Sequence, residues 1–258
     1  MREIRQSELR NYLLRVLPEA DFAQLLPALT VVPLKFKQVL HEPGEPEEYV
    51  YFPESGVLSM LILLENGWAV EMATIGNEGM LDIAQFLGVR TSESWSKVHV
   101  PGEAVRLSTA DFRRSVAGSE AFRAVVGAYT MELFTLVAQS LACNRAHNLE
   151  QRAARWLLMT RDRVDADEFP ITHAFLAEML GAARPTVTTT LGGLQSAGHI
   201  EYQRNTMTIL DRQGLESVAC ECYELIKRRF ERVSRAEHQA NAGPNGHDRQ
   251  AALPRERR

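Results

Sequence analysis

The stretch from Ile171 to Arg212, ITHAFLAEMLGAARPTVTTTLGGLQSAGHIEYQRNTMTILDR, restricts the fold more than any other part of the chain. Thr172 stands where a helix N-cap is wanted, and Phe175, Leu176, Met179 and Leu180 follow at helical spacing. Gly181 occupies the position just past the end of that helix, where glycine commonly closes it. A turn through Ala182 and Ala183 leads to a second helix opening at Arg184-Pro185, and a proline in the first turn forfeits no hydrogen bond. Val187, Leu191 and Leu194 give the second helix a buried stripe and leave Arg184, Thr186, Thr188, Thr189 and Gln195 facing outward. Beyond Gly198, the segments HIEY and MTIL read as two strands around the polar turn Gln203-Arg204-Asn205-Thr206. Helix, turn, helix and wing in this order predict a winged helix-turn-helix, whose second helix can enter the major groove with its N-terminal residues at the base edges. The competing reading is a merely structural helical hairpin. Gly192-Gly193 sits awkwardly in that helix, since each interior glycine costs about 1 kcal/mol relative to alanine. Either another element approaches closely there or the helix is irregular.

Upstream the periodicity is different. From about Leu29 to Leu107 the runs VVPLKFKQVL, EYVYFP, GVLSMLILL, WAVEMATI and VHVPGEAVRL are rich in branched and aromatic residues, with Gly44, Gly56, Gly67, Gly76, Gly79 and Gly102 punctuating them. An antiparallel roll or barrel follows. Asn66-Gly67 between two such runs predicts a hairpin with a type I′ turn, which needs positive φ at both central residues.

After Ser108 the period becomes helical. Phe122, Val126, Tyr129, Leu133, Leu136, Ser140 and Cys143 step alternately by four and three, the pattern of a coiled-coil seam. Phe122, Val126, Tyr129, Leu133 and Leu136 are therefore expected at a homodimer interface. The alternative is that the stripe packs on the chain's own roll, and Val125 and Val137 widen it enough to do both. A further amphipathic helix, LEQRAARWLLMTRDRV, is followed by DADEFP, whose acids and Pro170 are expected to end it. The last piece, 236–258, is too poor in apolar residues to bury a core and is expected to be disordered. The expected organisation is α+β: an N-terminal antiparallel β-roll with short helices over 1–118, a long dimerisation helix over 119–147, a winged helix-turn-helix domain over 148–235, and a tail over 236–258.

At 258 residues the chain is long enough for two cores. A net charge of −4 argues against nonspecific coating of nucleic acid but leaves site-specific binding open, because basic charge is local. Arg145, Arg152, Arg155, Arg161 and Arg163 face only Glu150 and Asp162 over their stretch, though such a cluster can equally be a solvated surface. The longest nearly unbroken apolar run, Val57 to Leu64, is far short of the roughly 20 residues of a membrane helix. No secretory signal is recognisable at MREIRQSELRNYLL, and three cysteines without disulfide spacing fit a reducing, cytoplasmic setting. Cys220 and Cys222 lie two apart in an expected helix, about 200° around its axis, and so are not expected to share a metal; no metal site is predicted. His41 and His99 are the only histidines of the roll, too few for a metal enzyme of the cupin kind, and the sequence has no P-loop or dinucleotide fingerprint.

The motifs F-P-I-T-x-x-x-L-A-x-M-L-G, R-P-T-V-T and L-x-x-L-Q-x-A-G-x-I resemble the C-terminal domain of the Crp/Fnr family of transcription regulators. Upstream, V-Y-F-P-E-S-G-V-L-S and I-G-N-E-G-M are similar to that family's cyclic-nucleotide-binding-like roll, so the resemblance runs from about Leu13 to Lys227. It implies a homodimer on double-stranded DNA, with RNA polymerase as a further partner if the protein activates, no membrane association and no enzymatic activity. It places Arg184 where an arginine commonly contacts a guanine edge and Thr186 where a phosphate contact is expected; Thr188, Thr189, Thr172, Gln195 and Arg204 complete the expected DNA-binding set. Pro185 and Thr189 depart from the family pattern, which often has an acidic and a basic residue there. In the roll, Glu78, Gly79, Met80 and Arg90 stand nearest the positions of an effector pocket, but Glu78-Gly79 inverts the expected Gly-Glu order and no convincing phosphate-binding pair follows. The effector is therefore expected to be a small molecule other than cyclic AMP, and no cofactor is identifiable. The alternative is a small-molecule-binding or cupin-like metal-dependent roll with a helical appendage.

Overall fold

The computed structural model describes residues 3–65 and 69–229. Two short helices, α1 (Tyr12–Arg15) and α2 (Glu19–Leu25), lead into the strands β1 (Thr30–Leu34), β2 (Val39–His41), β3 (Tyr49–Pro53), β4 (Val57–Leu63) and β5 (Ala69–Ile75). After α3 (Ile83–Phe86) the strands β6 (Trp95–Val100) and β7 (Gly102–Ser108) complete two antiparallel sheets, ordered β1-β7-β3 and β2-β6-β4-β5. Branched and aromatic side chains pair across them, and Val50, Phe52, Leu61, Val105 and Leu107 are buried in the core. The expected roll is present. The pairing of Leu63 with Ala69 brings β4 and β5 together around the Asn66-Gly67 segment, whose turn lies outside the described residues. The tail over 236–258 also lies outside them.

α4 (Thr109–Gly118) and α5 (Glu120–Ala146) carry the chain off the roll, each opened by a serine, Ser108 and Ser119, that caps its first turn. The seam expectation needs correction. Phe122, Val126, Tyr129, Leu133, Leu136, Ser140 and Cys143 are all buried within this chain, Phe122 against Phe52 and Phe112, and the Tyr129 hydroxyl donates to the Met80 carbonyl at 2.9 Å. The four-three spacing found a face correctly; what covers that face is the protein's own core. The opposite face of α5 leaves Met131, Phe134 and Leu141 at 63%, 67% and 73% exposure. By length and composition alone α5 would also suffice to cross a membrane.

α6 (Leu149–Val164) starts with a full capping box between Asn148 and Gln151 and ends where Asp165 turns left-handed at φ 53°. Asp165, the first acid of DADEFP, thus ends the helix as expected, five residues before Pro170. Glu168-Phe169-Pro170 instead forms β8 (Glu168–Pro170), an unexpected third strand of the wing. α7 (His173–Leu180), α8 (Arg184–Ser196), β9 (Ile200–Gln203) and β10 (Thr206–Ile209) follow, with the sheet ordered β8-β10-β9. α9 (Arg212–Val218) then leads to a closing helix over 222–229. α8 is continuous through Gly192 and Gly193; a methyl group at Gly192 would meet nothing within 4 Å and one at Gly193 only Glu150, at 3.7 Å. Of the two explanations for that pair, close approach and irregularity, this chain shows neither.

Candidate nucleic-acid interface and the roll

Thr172 accepts the Phe175 N–H at 3.1 Å and so fixes the start of α7. Gly181, at φ 58°, closes that helix by donating to the Ala177 and Glu178 carbonyls. The chain re-enters helix at Arg184 with Pro185 in the first turn, and Val187, Leu191 and Leu194 seat α8 against the domain. Arg184, Thr186, Thr188 and Thr189 are exposed together on its outer face, with Pro185 between them and Gln195 near its far end. The wing turn is made by Arg204 and Asn205, at φ 50° and 63°, between the paired Gln203 and Thr206, as a two-residue hairpin requires. Arg204 is exposed at its tip.

Several of these groups are already engaged. The Thr189 hydroxyl donates to the Pro185 carbonyl at 3.1 Å, and Gln195 accepts the Tyr202 N–H at 3.3 Å, tying α8 to β9. Thr188 Oγ lies 2.9 Å from His173 Nδ1, and the His173 ring lies against Tyr202 at 4.1 Å. Sequence reasoning passed over His173, because a residue one past an N-cap carries no periodic signal. Burial, and then the charge of Arg184, lower the pKa of its imidazole, so it stays neutral and buttresses the helix pair.

The expected effector residues do not converge on a cavity. Glu78 is ion-paired with Arg163 of α6 at 2.8 Å and accepts the Gly76 N–H. Met80 is fully buried, and Gly79 lies flat against the Tyr129 ring, leaving no room for a side chain. Arg90 is exposed and offers its carbonyl to Glu47 and Gln85. The roll's open cleft, about 440 Å³, lies elsewhere, bounded among others by Glu42, Glu45, Glu48, Tyr49, Tyr51 and Arg106. Arg106 stacks on Tyr49 at 4.0 Å, and the acids outnumber it, which disfavours a phosphate ligand. At its floor His41 meets Asp82 at 2.5 Å and Glu47 at 3.7 Å. Burial pulls the imidazole down, but hydrogen bonds to Asp82 and then Glu47 outweigh it and raise its pKa to about 9.

Where the roll meets the C-terminal domain, the Trp156 indole donates to Glu71 at 3.0 Å and Ser59 donates to the other oxygen at 2.9 Å. His99 lies 3.1 Å from Ser59 and stacks on Trp156 at 4.2 Å, with Phe175 edge-on at 5.0 Å. The expectation about the cysteines also fails. α9 ends at Val218, Ala219 and Cys220 are non-helical, and the next helix starts at residue 222, so Cys220 and Cys222 share no helix and the 200° argument does not apply.

These elements define a winged helix-turn-helix joined by a long helix to a double-sheet roll. Residues 151–218 match the family model described as the Crp-like helix-turn-helix domain, and the chain has the fold of Crp/Fnr transcription regulators. A Crp/Fnr-family regulator from Eubacterium rectale is 21% identical, with 81% of this chain and 98% of that one covered at a TM-score of 0.65. FixK2 from Bradyrhizobium japonicum is 16% identical over 74% of this chain and 98% of its own, at 0.63. A CRP-family regulator from Thermus thermophilus is 20% identical over 73% and 96%, at 0.62. No curated protein matches the chain in sequence.

Proposed function

We propose that this protein is a sequence-specific, DNA-binding transcription regulator of the Crp/Fnr type that acts as a homodimer. The observation that carries the reading is the exposed outer face of α8, with Arg184, Thr186, Thr188 and Thr189 in its first two turns, together with the exposed Arg204 at the tip of the wing. Arg184 is assigned to a guanine edge, where its guanidinium can bond O6 and N7 together. Thr186 and Arg204 are assigned to phosphates, and Thr188 and Thr189, whose hydroxyls are engaged, present methyl groups suited to thymine. Thr172 and Gln195 act as positioning residues through their cap and wing bonds.

The homodimer is assigned to the uncovered face of α5, where Ala124, Ala128, Met131, Thr135, Ala138 and Ala142 repeat the four-three spacing two residues on from the buried stripe, on the opposite side of the helix, flanked by Phe134 and Leu141. This places the long apolar helix against a twin helix in water. The division into a roll over 1–118, a dimerisation helix over 119–147 and a DNA-binding domain over 148–235 belongs to the same proposal. The cleft suits a neutral or cationic effector better than a cyclic nucleotide. RNA polymerase is a further partner if the regulator activates, and no catalytic role is assigned. Mobility shifts with promoter fragments from the gene's own neighbourhood test the reading; absence of specific retardation at low salt, with and without cell extract, would overturn it.

A second reading, a metal-dependent roll, has one observation in its favour: ligand atoms of His41, Glu47 and Asp82 lie within 4.8 Å of one another. Iron or zinc that is lost on His41→Ala, together with absence of DNA binding, would favour it.

A further inference from the structure

Three cysteines and a histidine that are far apart in sequence meet where the end of α5 touches the last described helix. Cys143 Sγ lies 3.5 Å from Cys220 Sγ, and Cys222 Sγ lies 3.7 Å from His147 Nδ1. All four ligand atoms lie within 4.8 Å of one another. With Zn–S near 2.3 Å and Zn–N near 2.0–2.1 Å, the edges of a tetrahedral zinc site are about 3.8 Å between sulfurs and about 3.6 Å from sulfur to nitrogen. The Cys143–Cys220 and Cys222–His147 separations match those edges within a few tenths of an ångström, and the other four pairs, all within 4.8 Å, need only a modest inward shift of the side chains to close on an ion. We propose that Cys143, His147, Cys220 and Cys222 form a closed tetrahedral site for one zinc ion, which fastens the helix over 222–229 to the end of α5.

The surroundings fit a metal better than three idle thiols. His147 turns Nδ1 toward the sulfurs while Nε2 pairs with Glu221 at 3.0 Å, the outer carboxylate that commonly fixes the tautomer of a ligating histidine. Gln139 donates its amide to Cys222 Sγ at 3.0 Å. Three thiolates and a neutral imidazole around Zn²⁺ leave one net negative charge, and the field of Arg155 acts on Cys143 and Cys220. The thiols are buried, and His147 with the exposed Glu221 marks the side from which an ion would enter. A disulfide between Cys143 and Cys220 would use two of these groups and leave Cys222, His147 and the Glu221 pairing without a purpose.

Full-length protein purified under reducing conditions should contain one zinc per chain by elemental analysis. Protein stripped by chelator and titrated with Co²⁺ should develop the visible ligand-field bands of tetrahedral cobalt and near-ultraviolet thiolate charge transfer. Zinc should be retained in His41→Ala, which separates this site from the roll, and fall below stoichiometric in Cys220→Ser and Cys222→Ser. If those variants misfold by far-ultraviolet circular dichroism, Glu221→Gln, at a side chain 72% exposed, should still bind but with about 10- to 100-fold weaker affinity. Metal-free protein without cobalt bands, or zinc unchanged in both folded Cys222→Ser and Glu221→Gln, would overturn the proposal. Either result leaves DNA binding through α8 to be judged separately by mobility shift.

Discussion

Single side chains in this chain separate groups assigned to DNA contact from groups that hold the helix presenting them. Arg184 is exposed at the first turn of α8, and its guanidinium is suited to bidentate recognition of a guanine edge. Arg184→Ala should therefore cost about 1 to 3 kcal/mol in binding to the cognate site. Binding to unrelated DNA should change little; equal loss on both in fluorescence anisotropy would reduce Arg184 to a phosphate contact. Gly79 makes the opposite kind of case. The I-G-N-E-G-M motif suggests an effector contact at Glu78, Gly79 and Met80, but Gly79 is where the Tyr129 ring presses on the loop. Adding one methyl group there is overpacking, with a typical cost of about 1–3 kcal/mol. Gly79→Ala should lower the midpoint of denaturant unfolding, whether or not any small molecule is present. The motif was legible as a motif, and the reason for its glycine was not, because the partner lies 50 positions away on α5.

At the level of whole elements, α5 carries two stripes with different duties. Leu133, buried on the roll side, should cost about 2–5 kcal/mol of fold stability when cut to alanine. Met131→Glu, on the exposed side, should leave the fold intact and convert dimer to monomer in light scattering; a stable dimer in that variant would remove α5 as the interface. The elements that sequence located well are those with chemical punctuation: Thr172, Gly181 and Pro185 bound α7 and α8 closely, and the strands of the roll lie between turn residues. Those it missed lack punctuation. β8 is three residues long, too short for alternation to show, and the helix break at Ala219-Cys220 contains neither glycine nor proline. Treating Cys220 and Cys222 as one helix therefore put two converging sulfurs on opposite faces. The stripe on α5 failed differently: periodicity states which residues share a face but not what lies over it, and the alanine-rich stripe on the opposite face has the weaker apolar signal.

At the scale of the whole molecule, the winged helix-turn-helix rests on the roll through a polar junction that contains Glu71 and His99. Although Glu71 as a residue is partly exposed, its carboxylate is enclosed between Ser59 and Trp156, and this burial lifts its pKa from 4.5 to about 7 against the opposing pull of those hydrogen bonds and of Arg155 and Arg163. A group raised in this way binds its proton more tightly folded than unfolded. Its contribution to stability is complete below pH 4.5 and is lost as pH rises through 7, on the order of 3 kcal/mol across that window. His99, stacked on Trp156 in the same junction, is pushed from 6.5 down to about 3 by burial and then by Arg163. Its contribution has the opposite sign: complete above 6.5 and lost as pH falls toward 3. The two slopes offset each other between about pH 4.5 and 6.5, so the junction is firmest across that range and weakens on either side of it. Away from it, Asp82 and His41 in the roll also lose stabilisation as pH rises, through about 7 and about 9 respectively. Denaturant unfolding of the native chain should accordingly show falling stability from pH 6 to pH 8. Glu71→Gln, which keeps the acceptor for the Trp156 indole but cannot ionise, should lose a large part of that slope while the share from the His41–Asp82 pair remains. An unchanged slope in Glu71→Gln would place the titration in the roll alone and free the docked arrangement of the two domains from any dependence on Glu71.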